Sequence, residues 1–351
     1  MNRKTERHRE SSGKIWLNQR LPGHEGEKDT VSVGIMKREN AMLLKGRRFR
    51  FGPHSTRKMI SSTFDNRTLF KFFLPAGIFM SVFLLFPLLK LLYDSFFDVG
   101  DNYEGRAFVG LKNYAKALAS RQFQADSLHT AVYVVVAVSF ETILGLLLAV
   151  VLTNKYRGFK AIRTFILSPL MIAPLVAGLV WKFMLSGQFG IVNVLLVKVG
   201  LLHSTDGILW LSDSRFALIS CIIADVWLTT PFMMLMFLAG IQSIPDSLYE
   251  SAEVEGASKW QIITKIIIPN IRGVLFSALV IRVIDAARTF DIIWAMTQGG
   301  PQGSSEVLSV HIYKMLQRYG DVGYASAMAV IFILVLVGIT LATQFKQKRS
   351  S

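Results

Sequence analysis

"ESAEVEGASKWQIITKIIIPN", Glu250 to Asn270, is a polar insert flanked by two stretches apolar enough to lie in a bilayer. Just upstream, Ser243, Pro245 and Asp246 make a helix start, because proline sets φ for the first turn and an acid suits the positive helix end. "LYESAEVE" (248–255) is a good helix former. Gly256 stops it, since glycine alone enters the left-handed C′ conformation without steric cost. Two residues later Ser258 and Gln261 fit a capping box, in which the hydroxyl accepts from the Gln261 amide and the Gln261 side chain reaches back. A second helix is expected from there to Pro269. Ile262, Ile263, Ile266 and Ile267 supply an apolar anchor, while Glu253, Glu255, Lys259 and Trp260 occupy the tip. Two readings of this helix–glycine–helix unit stay open on the residues alone. It is either a knob that passes a partner's push into neighbouring helices as rigid-body motion, or a passive amphipathic connector on the lipid surface.

The rest of the chain fixes its setting. Of 351 residues, 52% are hydrophobic and 18% charged, below the roughly 25% charged residues of soluble domains. Three runs carry no charge: 72–89, 164–181 and 322–345. About 20 apolar residues cross roughly 30 Å of hydrocarbon as a helix. The composition therefore predicts an all-α integral membrane protein with six spanning helices, near 70–93, 129–153, 161–185, 214–240, 273–297 and 322–345. Pro169, Pro174 and Pro231 fall inside these spans and are read as bundle kinks or hinges. Cys221 is the only cysteine, which rules out an internal disulfide. The first apolar segment follows a long polar stretch and reads as an uncleaved span.

The formal charge of +15 does not point to nucleic acid, because of where it sits. Residues 1–67 hold 16 Lys and Arg against 7 Asp and Glu, without an apolar period. They are expected to form a basic, disordered cytosolic tail. The remainder, 68–345, holds the six expected spans, with a short tail at 346–351. "NKYRGFKAIR" (154–163) carries four basic residues and no acid, and "KQKRSS" (346–351) adds three more. Positive residues stay on the cytosolic side. Both termini, the 154–163 loop and the polar loop 241–272 are thus expected in the cytosol.

The pattern Glu-x-Ala, three residues, Gly, nine residues, Ile-x-x-Pro is met by Glu250, Ala252, Gly256, Ile266 and Pro269. It resembles the EAA coupling-helix loop of permease subunits in binding-protein-dependent ABC importers. "FVGLKNY" (108–114), "DVWLTTPFMMLMFLAGIQSIP" (225–245) and "QGGPQGSSEVLSVHIYK" (298–314) are similar to the carbohydrate-uptake branch, of the maltose F-subunit and glycerol-phosphate A-subunit type. Ser251, Glu255 and Ile268 depart from the usual residues but keep size or charge. The resemblance implies a fold in which the loop docks on a separate ATP-hydrolysing subunit. It implies as partners two copies of that ATPase, a second permease, an extracytoplasmic sugar-binding protein and membrane lipid. Glu250, Ala252, Gly256, Ser258, Ile266 and Pro269 would then couple to the ATPase. The sugar stays open among a disaccharide, an oligosaccharide and glycerol phosphate.

Four ionisable residues fall inside expected spans: Glu141, Asp225, Arg282 and Asp285. Each costs about 2.5–3.5 kcal/mol at a helix centre on the insertion scale, so such groups face protein or water. Their depths agree, and they either line a polar sugar pathway or form structural ion pairs. Arg288 and Asp291 lie nearer the outer end and are read as snorkelling. Trp227, Phe290 and Trp294 are candidates for sugar stacking, against the commoner role of packing or interfacial aromatics.

The chain has no G-x-x-x-x-G-K-[ST] run, so no Walker-type ATP site is expected, and neither catalytic residues nor a cofactor is assigned. Histidines at 8, 24, 54, 129, 203 and 311 show no metal-ligand spacing, and no metal is assigned. The rival reading is an ion-gradient-driven carrier or channel. Six spans are few for a carrier, and no inverted repeat of broken helices is evident.

Overall fold

The structure is a computed structural model that describes residues 66–99, 106–153, 159–187 and 189–350. Nearly all of the 1–67 tail, residues 100–105 of the connection after the first span, residues 154–158 of the basic loop and Ser351 lie outside these. Contacts divide the chain into two units, Met1–Gly77 and Ile78–Ser351. The described part of the first, residues 66–77, is helical and begins α1 (Asn66–Met80).

The second unit holds everything else. A π turn at Ser81–Leu85 precedes α2 (Phe86–Asp94). A two-residue hairpin pairs β1 (Phe97–Asp98) antiparallel with β2 (Ala107–Phe108). Then come α3 (Lys112–Ala119), the 33-residue α4 (Arg121–Thr153), and α5 (Phe159–Leu167), extended by a 3₁₀ turn at Ser168–Met171. α6 (Pro174–Met184), α7 (Ile191–Lys198) and α8 (Ala217–Gln242) follow. The polar insert is α9 (Asp246–Val254), then α10 (Lys259–Gln261), a π segment at Ile262–Ile267, and α11 (Ile268–Asn270). The chain ends with α12 (Arg272–Ala287), α13 (Asp291–Met296), α14 (Leu308–Gln317) and α15 (Val322–Ser350).

Among the described residues, four helices are long and apolar enough to cross a membrane: Phe73–Asp94, Arg121–Thr153, Ala217–Gln242 and Val322–Thr343. Two bent pairs bring the total to six when each is taken as one span. The stretch expected as a straight third span is one of them. Ala161–Met171 meets Pro174–Met184 at 100°, because Ile172 and Ala173 are extended at the break. A residue before proline is pushed out of the helical region, so Pro174 starts a new helix instead of kinking the old one. Pro231 behaves differently and stays inside the continuous α8. The other pair is Lys259–Asn270 with Arg272–Met296, bent by 72° around Ile271, and the chain leaves the helix again at Arg288–Phe290, between α12 and α13. α4 begins eight residues earlier than the hydropathy edge at 129, since its polar first turns, "RQFQADS", extend past the apolar stretch. At 33 residues it is about 50 Å long, well over the hydrocarbon thickness.

α8 is the central helix. Its side chains enter two buried clusters: one with Tyr133, Ala137, Ala177, Ile292 and Met296, the other with Ala149, Ile267, Ile271 and Ala278. A third cluster joins Ala117, Phe123, Leu308, Tyr324 and Met328. α4 and α8 touch closely at Gly145, where an added Cβ would lie 2.7 Å from Met233 Cβ. Glycine is needed there for the backbone approach that lets polar side chains further along the two helices meet.

Candidate functional site

Three helices deliver the charges of the bundle interior to one point. α4 carries Glu141, α8 carries Asp225 and α12 carries Arg282; all three side chains are buried. Arg282 Nε donates to Glu141 Oε2 at 2.6 Å and Nη2 to Glu141 Oε1 at 2.9 Å, a bidentate fork. Nη2 also donates to Asp225 Oδ2. Nη1 donates to Asp285 Oδ2 at 3.2 Å, one turn along the same helix. Thr229 Oγ1 lies 2.7 Å from Glu141 Oε1 and 2.7 Å from the Asp225 carbonyl oxygen, sharing one proton between two acceptors. Planar guanidinium geometry permits all of these bonds at once, whereas an ammonium would reach fewer.

The cluster has a buried half and an open half. Arg282 is 3% exposed, but the Asp285 side chain is 51% exposed and pairs at 3.0 Å with Arg288, which is also exposed. A cavity of about 290 Å³ opens beside it, lined among others by Pro174, Asp225, Thr229, Arg282, Asp285 and Phe290. The aromatic residues singled out in the sequence mostly pack on one another. Phe290 stacks on Trp294 with centroids 5.4 Å apart, and Trp227 meets Trp181 edge-on at 5.9 Å. Of the three, Phe290 reaches the cavity wall. Asp291 caps no charge pair of the cluster but opens α13.

The polar insert forms an elbow. Gly256 has φ +73°, and an added Cβ would meet nothing within 4 Å, so only backbone conformation demands glycine there. Ser258 Oγ accepts from the Gln261 amide at 3.3 Å, and Gln261 Oε1 accepts from the Ser258 amide at 2.7 Å, the reciprocal capping box. Ser243 does not cap α9; its hydroxyl donates to the Gly240 carbonyl at the end of α8. Ala252 and Ile267 are buried, and Ile262, Ile263 and Ile266 pack against the buried cluster to which α8 contributes Met233, Phe237 and Ile241. Glu250, Gly256, Ser258, Lys259 and Pro269 are exposed, with Val254 at 89% and Trp260 at 71%. Tyr249 packs inward, and its phenol is pushed above the usual range, first by burial and then by the Asp246 carboxylate. The elbow thus has an apolar inner face in the buried cluster it shares with α8 and α12, and a mixed outer face bearing a tryptophan.

Far along the chain, "GGP" (299–301) opens a tight turn that runs to Gly303. Gly299 and Gly303 have φ of +83° and +80°, and the Gly300–Pro301 bond is cis. Ser305 Oγ closes the loop by donating to the Gly300 carbonyl at 2.6 Å. Sequence reasoning missed Thr229, whose i−4 hydroxyl bond looks like that of any helix serine or threonine. It also missed a second buried polar group at Asp126, Glu306 and His311, whose members lie on separate segments.

Apolar helices closed around an ion cluster, with one polar elbow breaking the hydropathy, define an integral membrane protein built to move a solute. The family model described as "Binding-protein-dependent transport system inner membrane component" matches residues 141–350, and the chain belongs to that family. It is a transport permease, not an enzyme. The chain is 36% identical over 264 residues to the trehalose/maltose transport system permease protein MalF of Thermococcus litoralis, covering 75% of this chain and 88% of that protein. It is 32% identical over 267 residues to the sulfoquinovosyl glycerol transport system permease protein SmoG of Agrobacterium fabrum, covering 76% of this chain and 85% of that protein. Among solved structures, a chain of a bacterial alginate ABC transporter, in complex with an alginate pentasaccharide-bound periplasmic protein, matches with a TM-score of 0.69. The identity is 28%, over 80% of this chain and 94% of that one.

Proposed function

We propose that the chain is the transmembrane subunit of an ATP-driven importer that moves a sugar handed over by an extracytoplasmic binding protein. The observation that carries this is the elbow at 246–270, buried and apolar on its inner face and open on its outer one, in a chain whose relatives are named as sugar permeases. The elbow, with Glu250 and Trp260 on its outer face, docks on one of two ATPase subunits, and a second permease completes the pathway. The basic loop, the elbow and both termini face the cytosol. When the ATPases close, the elbow moves as a unit with α8, and the bundle opens alternately to the two sides. Arg282, Glu141 and Asp225 clamp the three helices at mid-membrane. The open edge at Asp285 and Phe290 offers hydrogen-bonding and stacking partners to the passing sugar.

The test is coupling in proteoliposomes that hold this chain with its second permease and ATPases. In Gly256→Val the left-handed turn is strained by about 1–3 kcal/mol with no clash to confuse the result. Insertion and assembly persist, uptake falls at least tenfold, and ATP hydrolysis no longer responds to the loaded binding protein. Normal coupled uptake in that variant would remove the elbow from the mechanism.

A further inference from the structure

A second polar cluster lies away from the one described above. It joins the first turns of α4, the loop before α14, and α14 itself. Asp126, Glu306 and His311 are all buried, at 0%, 7% and 2% exposure, and each places a ligand-type atom within 4.8 Å of the others. His311 Nδ1 lies 2.5 Å from Asp126 Oδ2, yet it is not aligned to make a hydrogen bond with any group. A buried ring nitrogen thus points at a carboxylate oxygen without the geometry of a shared proton. That convergence of lone pairs is what a cation resolves.

The surroundings are arranged as outer partners of such ligands. Gln122 Nε2 donates to both Asp126 oxygens, at 2.9 and 3.2 Å. Lys314 Nζ holds Glu306 Oε2 at 2.5 Å. His129 Nδ1 is 3.1 Å from the Glu306 carbonyl oxygen and 3.9 Å from Asp126 Oδ1. Thr130 Oγ1 donates to the Asp126 carbonyl at 2.7 Å and accepts the Leu308 amide at 2.9 Å, fixing the start of α14 against α4. Ligands whose remaining atoms are pinned in this way are typical of metal centres. Charge points the same way. Lys314 pairs with one of two buried carboxylates, and the second is a buried charge that is costly unless a cation faces it.

We propose that Asp126, Glu306 and His311 form a site for one divalent transition-metal ion of the zinc class, tying α4 to the loop and helix 306–317. One imidazole and two carboxylates suit that class and exclude the soft, thiolate-seeking ions. At bonds of about 2.0–2.2 Å the ion would open the His311–Asp126 contact by several tenths of an ångström. The sequence hides this site because its ligands come from distant segments, with no local His or carboxylate spacing.

The test uses the full chain, purified in detergent without a polyhistidine tag, stripped with chelator and dialysed against Zn²⁺ alone. Metal analysis should find about one more Zn²⁺ per native chain than per His311→Gln or Asp126→Asn chain. This difference cancels binding by His8, His24, His54 and His203. Zn²⁺ should also raise the thermal midpoint of the native chain and leave that of His311→Gln unmoved. Should either variant fail to fold, Co²⁺ absorption of the native chain decides: intense visible bands of a low-coordinate protein site support the proposal. A Co²⁺ spectrum no different from the hydrated ion overturns it. So does equal Zn²⁺ content in native and His311→Gln chains.

Discussion

Arg282 is the residue on which three helices depend, since its guanidinium touches Glu141, Asp225 and Asp285 at the same time. Breaking a buried pair by removing one partner costs about 3–5 kcal/mol, because the other charge stays behind unpaired. Arg282→Met should therefore lower the thermal midpoint of the purified chain sharply and cut the yield of monodisperse protein. Adding Glu141→Gln should recover part of that loss, because it removes the orphaned carboxylate and not because it restores a bond. Size-exclusion profiles after a temperature ramp read both effects. If Arg282→Met alone is as stable as the parent, the cluster is not a clamp. The shared depth of these four residues is legible in the sequence by counting along spans. Which acid takes the bidentate fork is not, because that depends on how α4 and α8 cross at Gly145.

At the scale of elements, the elbow is the best-written part of the sequence. Its turn glycine, its capping box and its isoleucine anchor all rest on short-range rules, and the described geometry agrees with them at Gly256, Ser258 and Gln261. The π segment at Ile262–Ile267 has no such signature, since a run of isoleucines over little more than one turn does not tell an i→i+5 ladder from an α one. The broken third span was half legible: Pro174 is visible, but a proline in a span either kinks a helix or ends it. The choice is made by Ile172 and Ala173 turning extended, while Pro231 in α8 keeps its helix. The capping box gives a local prediction. Ser258→Ala removes the side-chain acceptor for the Gln261 amide and costs about 1 kcal/mol. Hydrogen exchange at the first amides of α10 should quicken by roughly fivefold, that energy as a ratio, while exchange in α8 stays as it was. Unchanged exchange at Gln261 would mean that the cap is not holding the elbow together.

On the scale of the whole molecule, the question is which side of the membrane each polar feature occupies. α12 and α13 separate the elbow from the Gly299–Gly303 turn, and Arg272–Met296 is a candidate crossing together with Lys259–Asn270, to which it is bent by 72°. If it does cross, Val254 and Gln302 lie on opposite sides, and the orientation proposed from the excess of Lys and Arg in 154–163 requires Val254 to be inside. The chain provides a quiet background for testing this, because its single cysteine, Cys221, is fully buried. Both test positions are exposed. A membrane-impermeant maleimide applied to intact spheroplasts should label Gln302→Cys and spare Val254→Cys, which should react only after permeabilisation. The reverse pattern would invert the orientation and put the elbow out of reach of any cytosolic ATPase. Labelling of both from one side would be more damaging still. It would mean that 272–296 dips in and returns, so the ion cluster on α12 would sit in a re-entrant loop and not in a helix that a moving elbow can tilt.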